Sequence, residues 1–238
     1  MGPGGRRIEW RGTKVDGVWQ IQSGFDENCG TEEKFMRASL EMRWFYSGAL
    51  PKSIAQWFGS DSLGGYLSPP DEREDIYLLV PSCDYLGVKL RGKTLEVKWR
   101  QGELGTMQFG NRWEGKAEKW LKWVCADTMA PVPADIVATG KWVAVKKKRA
   151  QRLYQVSAPG SLMSVPVEAP IPQGCTVELT QLNINGSAWW TLGFEAFGSE
   201  SSLTESLQTV ATWTSKSYQA QKLNAADSSA YPIWLTTK

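Results

Sequence analysis

The segment GVKLRGKTLEVKWRQG, Gly87 to Gly102, alternates charged and apolar side chains through two runs. A period of two sends successive side chains to opposite faces of a strand, so the segment is predicted to form a hairpin with one wet and one dry face. The wet face carries Lys89 and Arg91 on one strand and Glu96, Lys98 and Arg100 on the next. ASLEMRWFYSG repeats the pattern, with Ser39, Glu41 and Arg43 opposite Leu40, Met42, Trp44 and Tyr46. Further strand candidates are DIYLLV, AEKWLKWVC, KWVAVKKKR, RLYQVS, CTVELTQLNI and AWWTLGFEAFG. Most are joined by short turns, which predicts antiparallel neighbours. A chain built from many two-faced strands must find cover for its dry faces, and few folds provide it.

Two helices are expected. LPKSIAQWFG has Pro51 for its first turn, an apolar stripe of Ile54, Trp57 and Phe58, and Gly59 to end it. From Ser199 onward, Leu203, Leu207, Val210 and Trp213 fall at helical spacing behind a Ser/Glu-rich start. Residues 1–37 are expected to be an N-terminal arm or accessory hairpin, with a strand at GVWQIQ, and residues 38–238 to form one domain.

Composition removes several kinds of chemistry. The 238 residues contain no histidine, which excludes imidazole metal sites and histidine-based catalytic triads built from this chain alone. Cys29, Cys83, Cys125 and Cys175 show no CxxC spacing, so neither a structural zinc site nor a redox pair is expected. A net charge of +2 argues against a nucleic-acid-coating surface, so any cationic function is local. No stretch approaches the roughly 20 apolar residues of a membrane helix, and MGPGGRRIEWRG lacks the apolar core of a signal peptide. A cytoplasmic protein without a membrane partner is the expectation.

The polar faces admit two placements. On an open sheet they meet solvent. In a barrel closed with its dry face outward under helices, they line the interior. The second placement gathers Glu41, Arg43, Lys89, Arg91, Glu96, Lys98, Arg100, Lys146, Lys148, Arg152, Glu178 and Glu195 inside, with more cations than carboxylates. Like charges about 4 Å apart repel by roughly 4 kcal/mol at an effective dielectric near 20. Such an interior therefore needs water, interspersed carboxylates or a bound polyanion, and phosphate chains suit Arg forks and Lys point charges. In KKKR, Lys146 to Arg149, two lysines are expected inward. The rings of Trp120 and Trp123 in EKWLKWV are expected to cover the exterior.

In this order and pattern the chain resembles the CYTH superfamily of triphosphate tunnel metalloenzymes. The resemblance rests on SLEMRWF with its following helix, DIYLLVPSCDYLGVKLRGKTLEVKWR, GKWVAVKKKRAQRLYQV and CTVELTQLNINGSAWWTLGFEAFG. It implies an α+β fold: a closed eight-stranded antiparallel β-barrel with a few helices packed outside, one of them C-terminal. It further implies substrate-binding roles for Arg43, Lys89, Arg91, Lys98, Arg100, Lys146, Lys148 and Arg152, and a tunnel carboxylate at Glu96. Glu41, Glu178 and Glu195 would hold Mg2+ or Mn2+. The family's first-strand ExExK becomes Ser39, Glu41 and Arg43 here, and its closing E-x-E becomes Glu195 and Phe197, so one carboxylate is missing from each strand. The resemblance points to metal-dependent hydrolysis of a triphosphate or other polyphosphate, with no catalytic residue singled out. The alternative is a non-catalytic module that binds polyphosphate, nucleotide or another anion; a solvated sheet or a ligand-binding barrel lined by tryptophan also stays open.

Overall fold

The computed structural model describes residues 11–15, 18–22, 36–92, 94–126, 141–158 and 160–238. The chain divides into two compact units, Met1–Lys34 and Phe35–Lys238. In the first, β1 (Arg11–Val15) and β2 (Val18–Gln22) pair as an antiparallel hairpin. Cys29, Lys93 and residues 127–140 lie outside the described residues.

The second unit is the barrel that strand periodicity and the tunnel resemblance predict. Its strands are β3 (Met36–Ser47), β4 (Asp71–Leu78), β5 (Leu86–Arg91), β6 (Thr94–Phe109), β7 (Trp113–Ala126), β8 (Trp142–Ala158), β9 (Ser161–Val165), β10 (Gly174–Ile184) and β11 (Ser187–Phe197). Around the wall the order is β10, β11, β3, β7, β6, β5, β4, β8, and β8 closes the circle on β10. Every described pairing in this unit's strand ladder is antiparallel. β9 extends the edge of β8 beyond the end of β4. Between those two partners Ser68 bonds both the N–H and the C=O of Gln151, so the edge is not left bare.

Two strands run further than the sequence suggests. GELGTMQF continues β6 because bulges between Arg100 and Gly102 and between Glu103 and Gly105 absorb the extra residues. Gly105 sits there at φ 81°, a conformation that suits glycine. KWVAVKKKR and RLYQVS, read as separate candidates, are one strand, β8.

The dry face of β3, β10 and β11 points outward. Leu40, Met42, Trp44, Val177, Leu179, Leu192 and Phe194 are buried there beneath two helices. α1 (Lys52–Phe58) contributes Ile54, Trp57 and Phe58, while α2 (Leu203–Ser215) contributes Leu203, Leu207, Val210 and Ala211. Trp113 knits this layer, with ring centroids 6.2 Å from Trp44 and 5.7 Å from Trp57. On the opposite wall the outer face is less covered: Trp99 and Trp123 remain 57% and 52% exposed. Trp123 is thus outside but uncovered, and Trp120 turns inward, where its indole N–H donates to Glu118 at 3.3 Å.

A third helix, α3 (Tyr231–Thr236), has no counterpart among the sequence expectations. The β3–β7 ladder ends at Met42 and Ala117, and the chain around Ser228 fills the gap. There Ser229 N–H donates to Arg43 C=O, and Lys116 N–H donates to Ser228 Oγ. α3 then lies across one end of the barrel. Its Trp234 and Leu235 join Phe45, Tyr77, Val145, Leu182 and Ile184 in a buried apolar cluster. Phe45 stacks on Trp234 at 4.6 Å, and Tyr77 on Tyr231 at 5.2 Å.

Candidate anion-binding cavity

Beyond that apolar end, the interior opens into a cavity of about 170 Å³. Alternation delivers its wall: Glu41 and Arg43 from β3, Arg73 from β4, Lys89 and Arg91 from β5, Glu96 and Lys98 from β6, Glu118 and Lys122 from β7, Lys147 and Arg149 from β8, Glu178 from β10 and Glu195 from β11. These side chains face inward, as the barrel placement requires.

Asp75 is fully buried and anchors one side. It accepts from Arg91 Nε at 2.8 Å and lies 3.0 Å from Lys147 Nζ, 3.3 Å from Arg73 Nε and 4.0 Å from Lys89 Nζ. Burial opposes ionisation, but Lys147, Arg91 and Lys89 outweigh it and hold the Asp75 pKa well below the carboxylate range. Glu96 binds Lys89 at 2.8 Å and Arg91 at 3.2 Å. Burial and the Lys147 charge pull Lys89 down to about 7 despite Glu96, and burial pulls Lys147 down to about 8 despite Asp75 and Glu178. Both lysines are poised near neutrality.

Across the cavity, Arg43 lies 2.9 Å from Glu178 and Arg149 lies 3.3 Å from it. Arg43 reaches β10 by passing over β11 at Gly193, its register partner. A Cβ on Gly193 would stand 2.5 Å from Arg43 Cζ, so the glycine is what leaves the guanidinium its path. The two arginines, against the cost of burial, hold Glu178 below the ordinary carboxylate range. In the same wall Lys98 lies 2.5 Å from Glu41 and 3.8 Å from Glu195, and Lys122 is 3.8 Å from Glu195. Lys98 foremost, against burial and with help from Lys122, brings Glu195 down to about 2. Arg100 binds Glu118 at 2.7 Å, Asp84 at 2.8 Å and Glu103 at 3.1 Å, and the exposure of the last two places it towards the rim.

Three expected residues lie elsewhere. Lys146 and Lys148 sit on the outer face of β8, and Lys147 and Arg149 take the inward positions. Arg152 shares the outer parity. Its guanidinium is buried under the turn after α1 and donates to the carbonyls of Phe58, Ser60, Gly64 and Tyr66 at 2.7 to 3.1 Å. That is a structural role: one fixed fork gathers the carbonyls of a loop. Arg73, Asp75, Glu118, Lys122, Lys147 and Arg149 were missed, although DERED and EKWLK do carry the alternation.

The donor set does not fit a ready divalent-metal site. Glu41, Glu178 and Glu195 are each engaged by Lys or Arg, and among the described residues no group of three or more His, Cys, Asp or Glu could hold a metal ion. Three donors in the cavity wall, Arg73 Nε, Arg149 Nε and Tyr231 Oη, are buried with no hydrogen-bond partner among the described residues, although Arg73 Nε stands 3.3 Å from Asp75. No described helix is long and apolar enough to cross a membrane.

No family model matches the chain, and no curated protein matches it. Among solved structures it is similar to the PH1819 protein from Pyrococcus horikoshii OT3, with a TM-score of 0.42 and 10% identity, covering 84% of this chain and 99% of that one.

Proposed function

We propose that the barrel is a binding module for a small molecule carrying linked phosphates, such as a triphosphate, which it holds in the charged cavity. The observation that carries this reading is the wall itself: cations outnumber carboxylates around a partly open cavity, and three buried donors there lack hydrogen-bond acceptors among the described residues. An unpaired buried donor costs about 1–3 kcal/mol, which an anionic ligand oxygen offsets. Arg43, Arg91 and Arg149 supply forks for phosphate oxygens, and Lys89 and Lys147 supply point charges whose protonation a bound anion favours. Membership of the tunnel family is part of the same proposal. Hydrolysis is not part of it, because it would require Glu41, Glu178 and Glu195 to exchange their present partners for Mg2+ or Mn2+.

Calorimetric titration with tripolyphosphate, ATP and thiamine triphosphate tests the binding. One tripolyphosphate per chain is expected, with affinity lowered about 10- to 100-fold in Arg43→Ala and in Arg91→Ala. No binding by the folded protein, or equal binding by an Arg43→Ala/Arg91→Ala double variant, overturns the reading. Release of inorganic phosphate in the same mixtures with Mg2+ or Mn2+ would add catalysis to it.

A further inference from the structure

Glu41 of β3 and Glu195 of β11 are register partners, and both line the cavity. Two carboxylates facing each other across a ladder repel, and inside a barrel water screens them poorly. A divalent ion bridging them would relieve this. Here the ammonium of Lys98 does so: it stands 2.5 Å from Glu41 Oε1 and 3.8 Å from Glu195 Oε2. Lys122 approaches the other oxygen of Glu195, Oε1, at 3.8 Å.

Charge type sharpens the point. Around Glu178 the neutralising groups are arginines, whose planar forks spread their charge over several nitrogens. Between Glu41 and Glu195 it is an ammonium, the side chain closest to a compact ion. Two ammoniums balance two carboxylates, so an added metal ion would bring uncompensated charge and crowd Lys98.

We propose that Lys98 is a built-in counter-ion occupying the place of a divalent cation between Glu41 and Glu195, so that this carboxylate pair excludes metal and the cavity takes up its phosphate ligand metal-free. Only the second half rests on the phosphate-binding reading. The atoms that would form a metal site are present, but a residue of the next-but-one strand fills it.

The test is uptake of Mn2+, followed by the electron paramagnetic resonance signal of the free ion, without phosphate present. Wild type is expected to bind none at this pair. Lys98→Gln is expected to bind one Mn2+ per chain, with an affinity roughly 100-fold or more above the upper limit set by the absence of wild-type uptake, and Lys98→Gln/Glu195→Gln is expected to lose it. Stoichiometric uptake by wild type that disappears in Glu195→Gln overturns the proposal. So does the absence of uptake in a Lys98→Gln variant that melts cooperatively. If Lys98→Gln does not fold, the wild-type and Glu195→Gln arms decide it. Tripolyphosphate titration of the EDTA-treated protein tests the second half: undiminished binding is expected, and binding only after metal is restored overturns it. Should Mn2+ behave as expected while tripolyphosphate never binds, the phosphate reading falls and the counter-ion assignment stands.

Discussion

Lys147 and Lys148 are neighbours on β8, yet one peptide step separates two electrostatic environments. Lys147 is buried inside the barrel, 3.0 Å from Asp75, with its ammonium 4.0 Å from the Tyr231 ring centroid and hydrogen-bonded to Tyr77. Lys148 pairs with Glu72 at 2.8 Å on the outer surface, where the two side chains are 51% and 69% exposed. The residue type is the same. Inside, each charge depends on a set of partners that water cannot replace, whereas outside the ion pair is solvated and worth little.

The sharpest way to break that contrast is Asp75→Ala. It leaves Arg73, Lys89, Arg91 and Lys147 without their shared carboxylate, and a loss of about 3–5 kcal/mol is expected in urea unfolding. Tripolyphosphate should recover part of the loss, because its oxygens replace the missing ones; no recovery would separate the ion-pair network from the anion site. Gly193→Ala is next. The new Cβ meets the Arg43 guanidinium, so a loss of about 1–3 kcal/mol is expected together with weaker tripolyphosphate binding. An intact affinity would show that Arg43 grips the anion from another position.

Titration gives a smaller effect with a defined sign. Lys89 and Lys147 have pKa values of about 7 and about 8 when folded, below the ordinary lysine value. The unfolded chain therefore binds more protons above pH 7, and these groups make stability rise with pH from about 7 towards 10. Anion affinity runs the other way, falling by up to about tenfold per pH unit for each group as the lysine loses its charge. Comparing calorimetric pH profiles of wild type and Lys89→Met isolates the Lys89 share, since the ligand's own ionisation is common to both. The smallest effect belongs outside: Lys148→Ala should change stability by less than about 0.5 kcal/mol and leave tripolyphosphate binding unaltered.

How legible these positions were depended on whether one face of a strand stayed purely apolar. On β3 the outer residues Leu40, Met42 and Trp44 are all apolar and Ser39, Glu41 and Arg43 all polar, so the inner face could be read directly. β8 defeats that logic. Its inner face begins with Val143 and Val145, which pack in the apolar cluster under α3, and passes to Lys147 and Arg149. Its outer face carries Lys146, Lys148 and the loop-gathering Arg152. With charge on both parities and apolar residues on the inner one, KKKR does not reveal which lysines look inward. Trp120 was hidden for a related reason, because a ring within a charged interior contradicts the rule that large rings cover the outside. α3 was missed because its six residues are too few to display a helical period.

The wall has one lightly stitched place. β4 and β5 share only the register pairs Ile76–Leu90 and Tyr77–Lys89, whereas β5 pairs with β6 from Leu86 to Arg91. Much of what holds β4 to β5 is therefore the grip of Arg91 and Lys89 on Asp75, made by the same side chains that face the cavity. If a phosphate draws those cations towards itself, the seam should loosen as it settles. Backbone amides along β4 and β5 should then exchange with deuterium faster than those of the β6–β7 ladder, and their rates should register whether the cavity is filled.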